Sequence, residues 1–216
     1  MAAQPVRVLA ADDPAAVLRP YEPGDRDDVY RVCLLTGDSG RDASGKFSDD
    51  TLLPDIYAGP YLALEPELAT VVDLGGRVAG YLLAAADTTS FVERYRRDWL
   101  PAFAARHPLP AEIRSEEDRL IAVGHRPEAM VGPDQDRYPA HLHIDLLPEL
   151  QRQGLGRALM RRLLAELRER GIPGVQLGVG EANHAARAFY ARLGFHPLPS
   201  APDAASTLCI ESSATL

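Results

Sequence analysis

Gln151-Arg152-Gln153-Gly154-Leu155-Gly156-Arg157 lies between a strand-like run, His141 to Leu147, and a strongly periodic helix that continues to about Glu169. Two glycines two positions apart, flanked by arginines and opening a helix, describe a loop whose backbone N–H groups point at phosphate oxygens. Glycine lets the backbone come close, and the helix start adds its orphan donors and positive dipole end. Arg152 and Arg157 would add charge-assisted contacts. A dinucleotide fingerprint needs a third Gly or Ala three residues after the second, where Leu159 stands. No Gly-Lys-Ser/Thr follows, which excludes the NTP-binding P-loop. What remains is Gln-x-x-Gly-x-Gly after a strand and before a helix. Glycines at a helix start can serve a tight turn only; this placement between strand and helix is what gives the motif weight.

Working upstream, His141 to Leu147 alternates, with Leu142, Ile144 and Leu146 on one face and His141, His143 and Asp145 on the other. Before it, Ala111 to Arg137 is acidic at first, then Pro- and Gly-containing. Phe91, Tyr95, Trp99 and Phe103 recur at spacing four, an amphipathic helix with an aromatic stripe that Pro101 should kink or restart. The stripe reads as core packing. Ala69 to Leu74, Gly75-Gly76 and Val78 to Ala85 form the clearest hairpin. Leu52 to Tyr61 adds a helical turn or two, after a Gly-, Asp- and Ser-rich loop from Thr36 to Asp50. Asp25 is the expected N-cap of a helix to about Leu35, preceded by a short strand, Val17 to Tyr21. Residues 1–16 read as a loose or edge segment.

Downstream, Leu155, Leu159, Met160, Leu163, Leu164 and Leu167 make one apolar stripe, stopped by Gly171. Val175 to Val179 is another strand. Asn183 caps a helix carrying Ala186, Phe189, Tyr190 and Leu193, ended by Gly194. Phe195 opens a last strand pair with Thr207 to Ile210.

At 216 residues and 46% hydrophobic, the chain can build one sizeable core. A net charge of -8 argues against a general nucleic-acid binder. Positive charge is local: Arg152, Arg157, Arg161 and Arg162 cluster on and after the loop, although Arg161 and Arg162 fit a solvated helix face equally well. Cys33 and Cys209 lie far apart without metal-ligand spacing, and Cys33 falls in an apolar helical pattern that suits a buried thiol. No apolar run approaches a membrane span and no signal pattern opens the chain, so a cytoplasmic protein without membrane association is the expectation.

The order strand, helix, hairpin, strand, glycine loop, helix, strand, helix, strands resembles the GNAT (GCN5-related N-acetyltransferase) superfamily. Gln151 to Gly156 matches its acyl-CoA pyrophosphate loop. The run Asn183-x-x-Ala186-x-x-Phe189-Tyr190-x-x-x-Gly194-Phe195 matches its other signature in full. From about residue 17 onward the chain is also similar to the acetyltransferase-like C-terminal domains of O-GlcNAcases and related bacterial proteins. That similarity rests on Leu18-Arg19-Pro20-Tyr21, Val29 to Cys33, Tyr61 to Pro66, Gly80-Tyr81 and Phe91 to Arg94 leading to Trp99. The animal domain departs from the glycine loop; this chain retains it. The resemblance implies a single α/β domain over 1–216, with a mixed central sheet of about seven strands flanked by helices. A helical insertion (87–139) would fall between the third and fourth main strands, and 141–195 would form the acyl-CoA-binding core.

Carried over by position, the resemblance implies that backbone groups of Leu146 and Leu147 face pantetheine and acetyl. Those of Arg152, Gln153, Gly154, Leu155, Gly156 and Arg157, beside Gln151, would hold the pyrophosphate of acetyl-CoA. Asn183 would sit by the cofactor arm and Tyr190 near the thioester sulfur. Chemistry would be direct attack of a primary amine, on a small molecule or a protein lysine, at the acetyl carbonyl. Tyr190 is the natural acid for the departing thiolate, against a purely packing role beside Phe189. Asp145 is the candidate base if burial raises its pKa, against amine recognition or a structural hydrogen bond. His143 is the alternative base. His141, His143 and Asp145 also spell a metal set, but successive same-face residues stand about 7 Å apart, too far for three ligands on a straight strand; no metal is expected. Glu112, Glu116, Glu117 and Asp118 hint at a cationic acceptor, against a solvated acidic loop. The competing function is a CoA-binding pseudo-acetyltransferase that acts as a binding module, as a monomer or homodimer.

Overall fold

The computed structural model describes residues 6–7, 16–201 and 206–216. In chain order the elements are β1 (Val6–Arg7), β2 (Ala16–Pro20), α1 (Arg26–Thr36), α2 (Leu52–Tyr57), α3 (Gly59–Leu64), β3 (Thr70–Leu74) and β4 (Arg77–Ala85). There follow α4 (Thr88–Arg94), α5 (Leu100–Arg106), α6 (Glu116–Gly124), β5 (Ala140–Leu146), α7 (Leu155–Glu169), β6 (Gly174–Gly178), α8 (His184–Arg192), β7 (His196–Pro197) and β8 (Thr207–Glu211). The strands form one mixed sheet in the order β1-β2-β3-β4-β5-β6-β8-β7. It has eight strands where about seven were expected, the extra one being the two-residue β1 inside the stretch read as loose; the rest of 1–15 lies outside the described residues.

The β3–β4 hairpin turns where expected, at Gly75 and Gly76, both at positive φ (64° and 90°) that glycine adopts without a Cβ penalty. Side-chain alternation on β5 puts helices on both sheet faces. Asp145 and Tyr81 face α1 and its Cys33, while Leu146 reaches to 3.8 Å of where a Cβ on Gly156 of α7 would stand. The apolar stripe of α7 is buried over its length, and the main core runs through α1, the central strands, α7 and α8.

Between β4 and β5 the aromatic stripe behaves as expected. Phe91, Tyr95 and Phe103 are buried, and the helix restarts at Leu100 with Pro101 in its first turn, where a missing N–H costs nothing. Tyr95–Trp99 is a wider π-type turn that joins the two pieces. Buried Asp55 ties this segment to the rest: it accepts from the Tyr30 hydroxyl at 2.8 Å, from Arg106 Nε at 3.0 Å and pairs with His107 at 3.1 Å.

Two readings are corrected. The acidic stretch after Ala111 is not a loop throughout, because Glu116 to Gly124 is helical. Ser115 Oγ accepts from Asp118 N at 3.0 Å while Asp118 reaches back to Ser115 N at 2.8 Å, and three carboxylates in the first turn suit the helix dipole. Glu117 holds Ser48, Glu116 pairs with Lys46, and Glu112 pairs with Arg114, so this acidity serves the fold's surface. Asp25 precedes α1, but its carboxylate binds Arg19 and the Glu22 N–H instead of capping that helix. No helix among the described residues is long and apolar enough to cross a membrane.

Candidate active site

The sheet opens where the site forms. β5 pairs with β4 along its length, from Ala85↔His141 to Gly80↔Leu146, but meets β6 in parallel only at Ala140↔Val175 and His141↔Gln176. Beyond His141 the two strands part. Leu147 N–H donates to Ala79 O at 3.0 Å, and backbone direction alternates along an antiparallel pair. Asp145 therefore also turns its backbone to β4, while Ile144 and Leu146 turn theirs to the gap. The expectation for Leu147 fares differently from that for Leu146. Leu147 is buried, its N–H is bonded to β4, and its carbonyl accepts from Leu150 N–H at 2.9 Å.

The glycine loop closes one end of the gap. Arg152 and Gly154 both sit at positive φ (61° and 82°), which turns the chain into α7. The first bond of that helix is Ala158 N–H to Gly154 O at 3.0 Å, so Leu155, Gly156 and Arg157 carry the orphan donors of its first turn. A Cβ on Gly156 would stand 3.0 Å from the Phe189 ring, so the glycine lets α7 pack closely against α8. Gln151 Nε2 donates to Leu146 O at 3.0 Å and so buttresses the gap.

A cleft of about 990 Å³ gathers most of the sequence-predicted residues: His143, Asp145, Leu146, Gln151, Arg152, Gly154, Gly156, Arg157, Asn183 and Tyr190 all line it. Leu147, Gln153 and Leu155 do not. Leu155 is buried as the anchor of α7, and the Gln153 amide donates to Glu149 O. Asn183 is an N-cap as expected, its Oδ1 accepting from Ala186 N–H at 3.1 Å, while it also lines the cleft.

Asp145 lies on the cleft floor. Burial pushes its carboxyl up to about 6, against the pull of the Tyr81 hydroxyl, which donates to Oδ2 at 2.6 Å. Sequence reasoning missed Tyr81 as a site residue; its signal was the pleat position opposite Asp145 on the neighbouring strand. Cys33 is buried behind this pair, and desolvation raises its thiol, with the nearby Asp145 charge adding to the effect. Tyr190 is buried between the Phe189 and Phe195 rings, each 5.2 Å away. Desolvation first, then the Asp145 charge, hold its phenol well above the usual tyrosine range. Its hydroxyl makes no hydrogen bond to another described residue.

His143 packs against Tyr57 and Tyr61 at 5.2 and 5.5 Å, and burial pushes it down to about 4. His141 is pushed down to about 3 by burial and by His143. Both rings are therefore neutral near pH 7. Among the described residues no group of three or more His, Cys, Asp or Glu side chains is arranged to hold a metal ion.

A strand edge laid open beside a helix N-terminus thus shares one cleft with a shifted carboxylate and a buried phenol. The model of the acetyltransferase (GNAT) family matches residues 43–195, and the chain belongs to that family. It is 23% identical over 180 residues to rat (Rattus norvegicus) protein O-GlcNAcase, covering 82% of this chain and 20% of that protein, so the chain spans about a fifth of the relative's length. Over 54 residues it is 51% identical to the [ribosomal protein bS18]-alanine N-acetyltransferase of Escherichia coli K12, covering 25% of this chain and 36% of that enzyme. The crystal structure of a protein named SsHAT superposes with a TM-score of 0.85 at 45% identity, covering 92% of this chain and 98% of that one.

Proposed function

We propose that the protein transfers the acetyl group of acetyl-CoA to a primary amine by direct attack, with Asp145 as base and Tyr190 as acid. The observation that carries this reading is convergence: the open edge of β5, the first turn of α7, Asp145 and Tyr190 line one cleft. The backbone of Ile144 and the N–H of Leu146, whose carbonyl already accepts from Gln151 Nε2, suit the amides of the pantetheine arm. The orphan donors of Leu155 to Arg157, with Arg152 and Arg157, suit the pyrophosphate.

The amine nitrogen attacks the acetyl carbon and forms the C–N bond, and the C–S bond breaks as the carbonyl re-forms. The amine proton passes to Asp145, directly or through a water. The Tyr190 hydroxyl gives its proton to the departing thiolate and regains one from solvent. A carboxyl near 6 is largely ionised at pH 7 yet basic enough to take a proton, whereas His143 near 4 is a much weaker base; the assignment follows from that difference.

Calorimetric titration with acetyl-CoA, followed by kinetics of Tyr190→Phe, tests the reading. The variant should bind acetyl-CoA with unchanged Kd and lose roughly a hundredfold in kcat, within the range of a missing general acid. An unchanged kcat would reduce Tyr190 to packing, and absence of acetyl-CoA binding would overturn the reading altogether.

A further inference from the structure

A second cleft, of about 610 Å³, meets the first at His143 and Tyr57, which line both. Its walls come from α2 and α3, from the helical segment between β4 and β5, and from β6 and its neighbours. The lining is aromatic and aliphatic: Tyr57, Tyr61 and Tyr95, with Met130, Val131 and Leu198. Val123 and Val131 also line it and are 48% and 39% exposed, two of the four large apolar side chains left in solvent among the described residues, so the apolar surface continues outward.

Charge is scarce there. Among the described residues no carboxylate lines this cleft, and the charged side chain that does is Arg126. Asp145, one pleat beyond His143 on the same face of β5, lines the first cleft next to the junction and matches one ammonium; among the described residues that line the second cleft, no carboxylate matches another. The two histidines add acceptors. Thr88 Oγ1 lies 2.7 Å from Pro139 O, which has no proton, so the hydroxyl donates there and its oxygen accepts from His141 Nδ1 at 2.9 Å. That fixes the tautomer and leaves His141 Nε2 as a buried lone pair without a partner.

From this geometry we infer that the second cleft holds the acceptor, and that the acceptor is a small monoamine carrying an apolar alkyl or aryl body, not a polyamine or a protein lysine flanked by charge. The inference rests on the acetyl-transfer reading above and deepens it. A single amino group meets Asp145 beside the junction, and the apolar body fills the tyrosine-walled space. A second ammonium would be desolvated beside Arg126 with no counter-charge among the described lining residues.

The test is CoA-thiol release by the full chain with acetyl-CoA and four amine types: propylamine through hexylamine, 2-phenylethylamine, spermidine, and a capped lysine. The kcat/KM should rise about fourfold per methylene along the alkyl series, the fold-change of burying one CH₂. Hexylamine and 2-phenylethylamine should exceed spermidine and the capped lysine at least tenfold. Val131→Glu places a carboxylate on the exposed rim; it should narrow that ratio from both sides while the acetyl-CoA Kd, read by calorimetry, stays unchanged. Preference for spermidine or lysine, a flat alkyl series, or no turnover of any apolar monoamine by protein that binds acetyl-CoA would each overturn the inference. Failure to bind acetyl-CoA, read before any amine is added, would overturn the acetyl-transfer reading and this one with it.

Discussion

Asp145→Asn should make the protein more stable and far less active, and the pH dependence of the stability gain distinguishes a shifted carboxyl from an ordinary one. In the fold the carboxyl rises from 3.8 to about 6, chiefly through desolvation. Two pH units correspond to about 3 kcal/mol, and this is the most that ionising Asp145 costs the folded state above pH 6. The sign follows from proton binding. Between about 4 and 6 the folded chain holds a proton that the unfolded chain has released, so stability falls as pH rises through that window and levels off above it. Asparagine keeps the shape and can accept from the Tyr81 hydroxyl, which donates at 2.6 Å, without carrying the charge.

Urea unfolding of wild type and Asp145→Asn at pH 5 and pH 8 measures this directly. The variant's advantage should grow by about half its final size between the two pH values and stop changing beyond pH 7. Kinetics on the same proteins should show wild-type kcat/KM gaining from Asp145 ionisation through about pH 6, with the variant lacking that limb. A variant less stable than wild type at pH 8, or an advantage independent of pH, would refute the argument that burial strains this carboxylate.

Gly154→Val should weaken acetyl-CoA binding by about tenfold with little change in Tm: a β-branched residue at φ 82° costs about 1–2 kcal/mol, the exposed loop reshapes to avoid it, and restoring the binding shape then carries that cost. A Cβ there would touch nothing within 4 Å, so an unchanged Kd would mean that the loop's conformation does not matter to the ligand. Asp55→Ala should cost about 3 kcal/mol or more in urea unfolding, since Tyr30 and His107 lose a buried partner; a loss below about 1 kcal/mol would show that the segment between β4 and β5 is held by its aromatic packing alone.

What could be read from the chain was local. The periodicity of α7, the Gly75-Gly76 turn, the Asn183 cap and the period-two alternation of His141, His143 and Asp145 each depend on a few neighbouring residues, and the structure has them as expected. α6 was missed although Ser115-x-x-Asp118 is a capping signal, because its apolar residues are few and Leu120 and Ile121 are only half-buried. Tyr81 was missed as a site residue because its pairing with Asp145 spans 64 positions of chain and exists only in the β4–β5 register. Leu147 shows the same limit for the backbone. Alternation predicts which face a side chain takes, but which neighbouring strand an N–H meets depends on register, and register here gives the Leu147 N–H to Ala79.

That register carries a last consequence. Ile144 and Leu146 hold backbone groups toward a gap inside the sheet, where β6 has already left, whereas Leu147 is bonded to β4. Unpaired backbone at a strand edge is costly away from water, and a ligand that pairs with it stabilises the folded state by mass action. Amide hydrogen exchange with and without saturating CoA separates these positions. Protection should increase at Ile144 and Leu146 and through Leu155 to Arg157, where the helix start supplies the orphan donors. Leu147 should be slow already and change little beyond the global gain. If CoA protected Leu147 as strongly as Leu146, the strand would present its other edge to the ligand, and the cleft would have to be rebuilt around a different register.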